Sequence, residues 1–337
     1  MSHSSSFVIR IAQLCIEICG ANDEDSLCLQ ELKRVFCHHE VSEAPSVDHR
    51  IVVRNTGEFV VPPEASLLWK SPYLGVASSK RERRSMLSRI FARNKEIPLY
   101  TGTCNVKCYK DSQADFFLPE DSRWLVEHHA KEHITYVYSA MRRDSSDGLP
   151  AMLINLIGSQ YGFYLLFASG VAVDGRAILF TGDSGVGKST LCLELIQQGA
   201  SYIGDDLVLV YQKGEQAMVG SLLFSLKHYA DRGDTHKKII DAVSLMSGQP
   251  SLNVPLSSVY LLQRNTSESD APKLRQMESA TMLEYLLKFS NRANTTANGK
   301  LFLDTLSRIC ETVPCYYLSF GNLKSITPSF FDVYDRR

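Results

Sequence analysis

An excess of one charge is missing from this chain. Its 36 Lys and Arg nearly balance 37 Asp and Glu, giving a formal net charge of -1 and an isoelectric point near 6.8. Such a balance supplies no global field to attract nucleic acid or an anionic membrane surface, so neither is an expected partner. A long apolar run is also missing. The longest, Tyr161 to Val173, stops at Asp174-Gly175, well short of the roughly twenty residues a membrane helix needs. The first residues, Met1-Ser-His-Ser-Ser-Ser, show neither the basic start nor the apolar core of a secretion signal. Nine cysteines, an odd number scattered over 337 residues, read as reduced thiols rather than a disulfide framework. No internal repeat or low-complexity segment stands out. The expectation is a soluble cytoplasmic protein whose 44% apolar residues can bury ordinary cores, in two domains or one enlarged one.

What is present is concentrated in Thr181-Gly182-Asp183-Ser184-Gly185-Val186-Gly187-Lys188-Ser189-Thr190. Gly182, Gly187, Lys188 and Ser189 satisfy the G-x-x-x-x-G-K-[ST] spacing of a phosphate-binding loop. The context is right as well: Ala177 to Thr181 is a short apolar run fit for a buried strand, and Ser189 to Gln198 has helical spacing. Glycines let successive N–H groups turn inward, and the helix start adds free donors and a positive dipole end, so the loop forms an anion cup. Lys188 would reach the β- and γ-phosphates of ATP. The Ser189 hydroxyl would take a position on Mg²⁺, which favours few protein oxygens plus phosphate oxygens.

A second piece of the site follows. The helix after the loop ends at Gly199 and covers about 16 Å at 1.5 Å per residue. The segment Ala200 to Asp205 returns a similar distance at about 3.3 Å per residue, which brings Asp205 and Asp206 back level with Lys188. Of two adjacent carboxylates beside a triphosphate, one can bind Mg²⁺ and the other can take the proton of an attacking hydroxyl. The plainer reading is a turn cap before the Leu207 to Val210 strand.

The rest of the chain sets the frame. Phe7 to Ile18 and His49 to Arg54 read as strands, as do Cys108-Tyr and Ile134 to Tyr138, so residues 1–148 look like a β-rich α+β portion suited to substrate recognition. Ser78 to Lys95 reads as a basic amphipathic helix, either a solvated face or a dock for an acidic peptide or for phosphate. Cys104-x-x-x-Cys108 and His129-x-x-x-His133 have metal-ligand spacing but lack the Glu of H-E-x-x-H, and surface or core residues are the expected outcome. The polar stretch Arg142 to Gly148 marks a boundary, so a catalytic domain is expected over 149–337. Its sheet should be mixed, because the two-residue turn Asp174-Gly175 joins antiparallel strands. In Asp231 to Ile240, Lys237 or Lys238 is the candidate contact for phosphate or substrate.

The run Gly182 to Ser189, the Leu193-Glu-Leu-Ile helix, its Gly turn and Gly204-Asp-Asp-Leu-Val together resemble the catalytic domain of HPr kinase/phosphorylase, whose fold is similar to phosphoenolpyruvate carboxykinase. The resemblance is specific over Gly182 to Val208 and weaker from Leu149 onward. It implies an α/β P-loop kinase domain, with Asp206 as catalytic base and Asp205 as the metal-side acid. The chain departs from the family at Phe167-Ala168, where a His-Gly or His-Ala pair is usual, and at Thr190, where Glu is frequent. The first departure points away from phosphorolysis, and residues 1–148 do not resemble the usual N-terminal domain. The chain is more similar to related kinases of ribosomal peptide biosynthesis, including those that phosphorylate a serine of lasso-peptide precursors.

The expected activity is transfer of the γ-phosphate of ATP, with Mg²⁺, to a serine of a peptide or small protein; a homo-oligomer is compatible with it. The alternatives are a nucleotide-gated binding protein without phosphotransfer and a bifunctional kinase/phosphorylase. A decarboxylating carboxykinase would need further metal-ligand residues that the sequence does not display.

Overall fold

In the computed structural model, the described residues are 6–21, 26–42, 46–56, 59–70, 106–119, 124–139, 149–222, 225–228, 238–245, 253–265, 271–291 and 299–335. The basic stretch 78–95 and Cys104 lie outside them. The chain divides into two units, one of residues 1–161 with 291–298 and one of 162–290 with 299–337.

The first unit is built on β1 (Ser6–Ile11), β2 (Leu14–Gly20), β3 (Glu40–Val41), β4 (His49–Asn55), β5 (Ser66–Lys70), β6 (Val106–Lys110), β7 (Asp115–Pro119), β8 (Trp124–His129) and β9 (Ile134–Ser139). They form one sheet in the order β3-β1-β2-β4-β9-β8-β7-β6-β5, parallel at β2/β4 and β4/β9 and antiparallel elsewhere. The parallel step from β2 to β4 needs a crossover, and α1 (Leu27–Phe36) provides it. Ser26 caps this helix by accepting from the Leu29 N–H, and Cys28, Leu29, Leu32 and Phe36 are buried at helical spacing. Strand alternation buries Ile51 and Val53 of β4 and Val137 of β9, whereas Arg54 and Tyr138 belong to the opposite face. The helix α2 (Leu149–Gln160), apolar on every side, is buried from Leu149 to Ser159 and groups with this unit.

The second unit contains β10 (Phe163–Leu166), β11 (Ser169–Val173), β12 (Arg176–Thr181), β13 (Ser201–Gly204), β14 (Val208–Lys213), β15 (Gln216–Gly220), β16 (Ser225–His228), β17 (Lys238–Asp241), β18 (Asn253–Arg264), β19 (Lys273–Gln276), β20 (Ser290–Asn291) and β21 (Cys315–Phe320). Its main order runs β13-β11-β12-β18-β15-β14-β10, with β21 also paired to β18. The sheet is mixed, as expected: β12/β18 and β18/β21 are parallel, while β11/β12 is an antiparallel hairpin turned by Asp174 and Gly175 at φ 48 and 74°. The apolar run 161–173, whose composition suits one central strand, is two. It breaks at Phe167-Ala168, where the Phe167 N–H leaves the ladder to bond the Phe289 carbonyl at 2.6 Å.

Helices cover both faces of this sheet. Ala177 and Leu179 of β12 join a core with α4 (Ser279–Lys288) and α5 (Gly299–Thr312), and Ile178 and Phe180 join another with α3 (Lys188–Gln197) and α6 (Pro328–Asp335). Burial on both sides explains why these strands read as continuous apolar runs. Helix α3 stops at a Schellman motif, in which Gly199 N–H bonds the Ile196 carbonyl and Ala200 N–H the Leu195 carbonyl, both at 3.0 Å. The stop turns the chain directly into β13, which sets where Asp205 falls.

Candidate phosphate-binding and carboxylate site

The loop leaves β12 at the buried Thr181 and enters α3 at Lys188. Gly182 has φ 141°, and a Cβ there would stand 3.1 Å from the Leu262 carbonyl oxygen of the neighbouring strand, so only glycine fits without displacing β18. Asp183 and Gly185 are exposed, Ser184, Val186 and Gly187 half-buried, and Thr190 exposed on the first turn of α3. The N-terminus of α3 is aimed from Gly187, which caps it without a side chain. The first N–H groups of a helix have no intrahelical partner, and with the dipole end they make this a binding place for an anion.

Lys188 is buried at 6% exposure, and its ammonium donates to the carbonyls of Gly182 at 2.9 Å and Asp183 at 3.1 Å. The Phe167 ring lies 5.2 Å below it. The cation is thus held over the loop by two carbonyls and an aromatic face.

Register explains the carboxylates. Gly170 of β11 pairs with Gly204 of β13, so the chain emerging from β13 lies beside Ser169 and at the start of α3. Asp205 is 4% exposed, and its Oδ1 accepts from Ser189 Oγ at 2.7 Å and Ser169 Oγ at 2.6 Å. Asp206 takes the left-handed conformation, φ 66°, and is only half-buried. Aspartate tolerates this region better than most residues, and the turn separates two neighbouring carboxylates into different surroundings. A Cβ at Gly204 would come within 2.6 Å of Val208 Cγ1 and 2.9 Å of the Leu207 carbonyl, so the turn also requires that glycine. The Cys192 thiol and the Tyr202 hydroxyl are pushed well up by burial, with Asp205 adding to the effect. Both stay neutral beside the carboxylate.

These donors suit Mg²⁺. Adjacent oxygens of an octahedral magnesium are about 2.9 Å apart for ligands near 2.1 Å. Ser189 Oγ and Asp205 Oδ1 are 2.7 Å apart. Among the described residues no group of three or more His, Cys, Asp or Glu is placed to hold a metal.

Two contributors carry no sequence motif. Ser169 is a lone hydroxyl in an apolar strand, and a buried hydroxyl must find a partner; that necessity was its only signal. Lys288, at the end of α4, pairs with the Asp183 carboxylate at 3.1 Å and lies 4.8 Å over the Phe289 ring. Lys237 lies outside the described residues, and of Lys238 only the backbone, opening β17, is described. His129 and His133 are not on a helix: His129 ends β8, and His133 turns into β9 at φ 55°.

A family model, the HPr Serine kinase C-terminal domain, matches residues 165–232, which contain the loop, Ser169 and both aspartates. An HPr kinase/phosphorylase of Lacticaseibacillus casei (strain BL23) is 38% identical over 118 residues, 34% of this chain and 36% of the relative. One from Lactiplantibacillus plantarum is 52% identical over 61 residues, 18% of this chain and 19% of the relative. The chain thus spans about a third or less of the length of the curated relatives it matches. The Hpr(Ser) kinase/phosphatase structure from Coxiella burnetii superposes with a TM-score of 0.31 at 17% identity, covering 51% of this chain and 93% of that one. Through the matched segment the chain is HPr kinase-like.

Proposed function

We propose that this chain is an ATP- and Mg²⁺-dependent serine kinase that phosphorylates a peptide or small protein, and specifically a ribosomal precursor peptide of the lasso type. One observation carries the reading: a buried carboxylate, Asp205, bonded to the loop serine Ser189, stands next to a second, half-exposed carboxylate, Asp206. Two acids of one sequence pair, placed in unlike surroundings, suit two different roles.

The backbone of Gly182 to Ser189 and the Lys188 ammonium would hold the β- and γ-phosphates. Ser189 and Asp205 would hold magnesium, which when bound supplies charge neutralisation to the phosphate oxygens. Ser169 fixes the Asp205 carboxylate from the other side. Asp206, reachable from solvent, would take the proton of the acceptor hydroxyl as it attacks. Little covalent chemistry is asked of the protein, so positioning and charge supply most of the acceleration. The catalytic part of the chain would be 149–337, and the β-rich part before it would select the substrate.

The test uses the full chain with labelled ATP and the short peptides encoded beside its gene. Phosphoserine should form with the unaltered protein, and Asp206→Asn should lower the transfer rate by about 10²- to 10⁴-fold while nucleotide still binds. Normal transfer by that variant would reject Asp206 as base. ATP hydrolysis without phosphopeptide would instead favour a nucleotide-gated binding protein, and transfer of the phosphoryl group from phosphopeptide to added inorganic phosphate, with pyrophosphate formed, would favour a bifunctional enzyme.

A further inference from the structure

The face of the first unit's sheet that carries Arg54 and Tyr138 has a cavity lined by residues of that unit. It has a volume of about 380 Å³, within the range usual for small-ligand sites. Phe116 and Leu125, both 3% exposed, form its floor, and Phe59, Val60 and Pro62 form a wall over it. Val60 stands at the rim, 84% exposed. At the cavity's polar end is Arg54. Its guanidinium carbon lies 4.4 Å from the Tyr136 ring centroid and 5.4 Å from that of Tyr138, its cross-strand partner.

That placement decides what the arginine can do. The Tyr136 ring lies within cation–π distance of the guanidinium and the Tyr138 hydroxyl holds one of its edges, so both restrict the group and leave its remaining N–H donors for hydrogen bonding. Of its five N–H donors, one reaches the Tyr138 hydroxyl at 3.2 Å, and no carboxylate among the described residues forms an ion pair with it. The acid among the lining residues, Glu127, already holds two partners: Oε2 accepts from Tyr138 at 2.5 Å, and Oε1 meets His129 Nε2 at 2.7 Å. The polar end therefore has donors in excess of acceptors. A planar two-oxygen anion meets such an edge with paired bonds, and a guanidinium held in place beforehand loses little freedom on binding.

We propose that this cavity binds an apolar carboxylate, a ligand with an aromatic or branched aliphatic body seated on Phe116 and Leu125 and its carboxylate bonded edge-on to Arg54. That chemistry is shared by a small free acid and by the carboxyl end of a peptide finishing in an apolar residue. The site needs no phosphotransfer and stands apart from the kinase reading.

Calorimetric titration of the full chain separates the possibilities, with 3-phenylpropionate, acetyl-Ala-Phe with a free carboxylate, the amide of that peptide, and 2-phenylethylamine as probes. Saturable binding of at least one acid is expected, with neither the amide nor the amine binding comparably. Arg54→Gln should weaken the acid by about tenfold or more, and Arg54→Lys should also weaken it because the planar fork is lost. Arg50→Gln, on the same strand and paired with Glu17 at 2.6 Å, should bind as the unaltered protein does. The emission of the buried Trp124 checks that each variant is folded. Peptide acid binding about tenfold tighter than 3-phenylpropionate would assign the site to a chain end, and equal binding would assign it to a small acid. No saturable binding of either acid, equal binding of the amide or amine, or undiminished binding by folded Arg54→Gln would overturn the proposal.

Discussion

Each unit has a buried polar centre in which one oxygen serves two partners, and the two centres are chemical opposites. In the second unit a carboxylate oxygen, Asp205 Oδ1, collects two hydroxyls, Ser169 and Ser189. In the first a hydroxyl, Thr135 Oγ1, collects two imidazoles, His49 Nε2 and His128 Nδ1, each at 2.8 Å. The hydroxyls around Asp205 can give way to a cation, because the carboxylate is an acceptor with charge to share. The histidine centre is committed at Thr135, although His49 Nδ1 and Gln160 Oε1 are buried there without a hydrogen-bond partner. Gln160 Nε2 donates to His128 Nε2 at 2.6 Å, which leaves His128 Nδ1–H to donate to Thr135 and the threonine proton for His49. Buried polar groups are thus exchangeable in one unit and committed in the other.

Paired substitutions put this contrast at risk. Asp205→Asn keeps an acceptor for one serine but loses the charge that would hold magnesium. Phosphotransfer should fall by about 10³-fold or more, while the melting midpoint should move by no more than about 4 °C. Thr135→Val should do the reverse, since it strips two buried ring nitrogens of their partner at once. Its expected cost is about 2–4 kcal/mol of stability in chemical denaturation, with the specific activity of the folded protein nearly unchanged. Unfolding by the first variant, or inactivation without destabilisation by the second, would collapse the distinction.

The same contrast explains what the sequence could and could not reveal. Gly182 to Thr190, Asp205 and Asp206 lie within one helix and one strand of each other, so element lengths alone return the aspartates to the loop. Ser189 and Asp205 are 16 residues apart. His49 and Thr135 are 86 apart, brought together only because β4 lies parallel beside β9. No local pattern encodes that pairing, and the only sequence feature near His128 is the His129-x-x-x-His133 spacing that follows it. Arg54 gave no signal either, because its meaning comes from tyrosines on another strand. The split of the run 161–173 was equally hidden: Phe167 is as apolar as its neighbours, and what ends the strand is the Phe289 carbonyl far along the chain. The hairpin at Asp174-Gly175 and the helix stop at Gly199 were legible, as both depend on turn chemistry written in adjacent residues.

The last expected effect is graded with pH. Burial lowers His49 to about 4 and His128 to about 3, with the neighbouring imidazole charges of His133, His49 and His129 and the Lys110 ammonium opposing protonation further. In the unfolded chain both rings titrate near 6.5. The unfolded state therefore binds protons first, and stability is full above about pH 6.5 and declines as pH falls towards 4 and 3. Each ring contributes a slope of about 1.4 kcal/mol per pH unit within that window. The geometry gives the same sign, because a proton on His128 Nε2 would face the Gln160 N–H instead of accepting from it. The chain's two tryptophans, Trp69 and Trp124, both belong to the first unit, so their emission during urea unfolding at pH 7, 6 and 5 reports that unit alone. A midpoint that falls with each step down is expected. A midpoint flat from pH 7 to 5 would mean that the two imidazoles are already matched to charge, and the centre would then be as exchangeable as the one around Asp205.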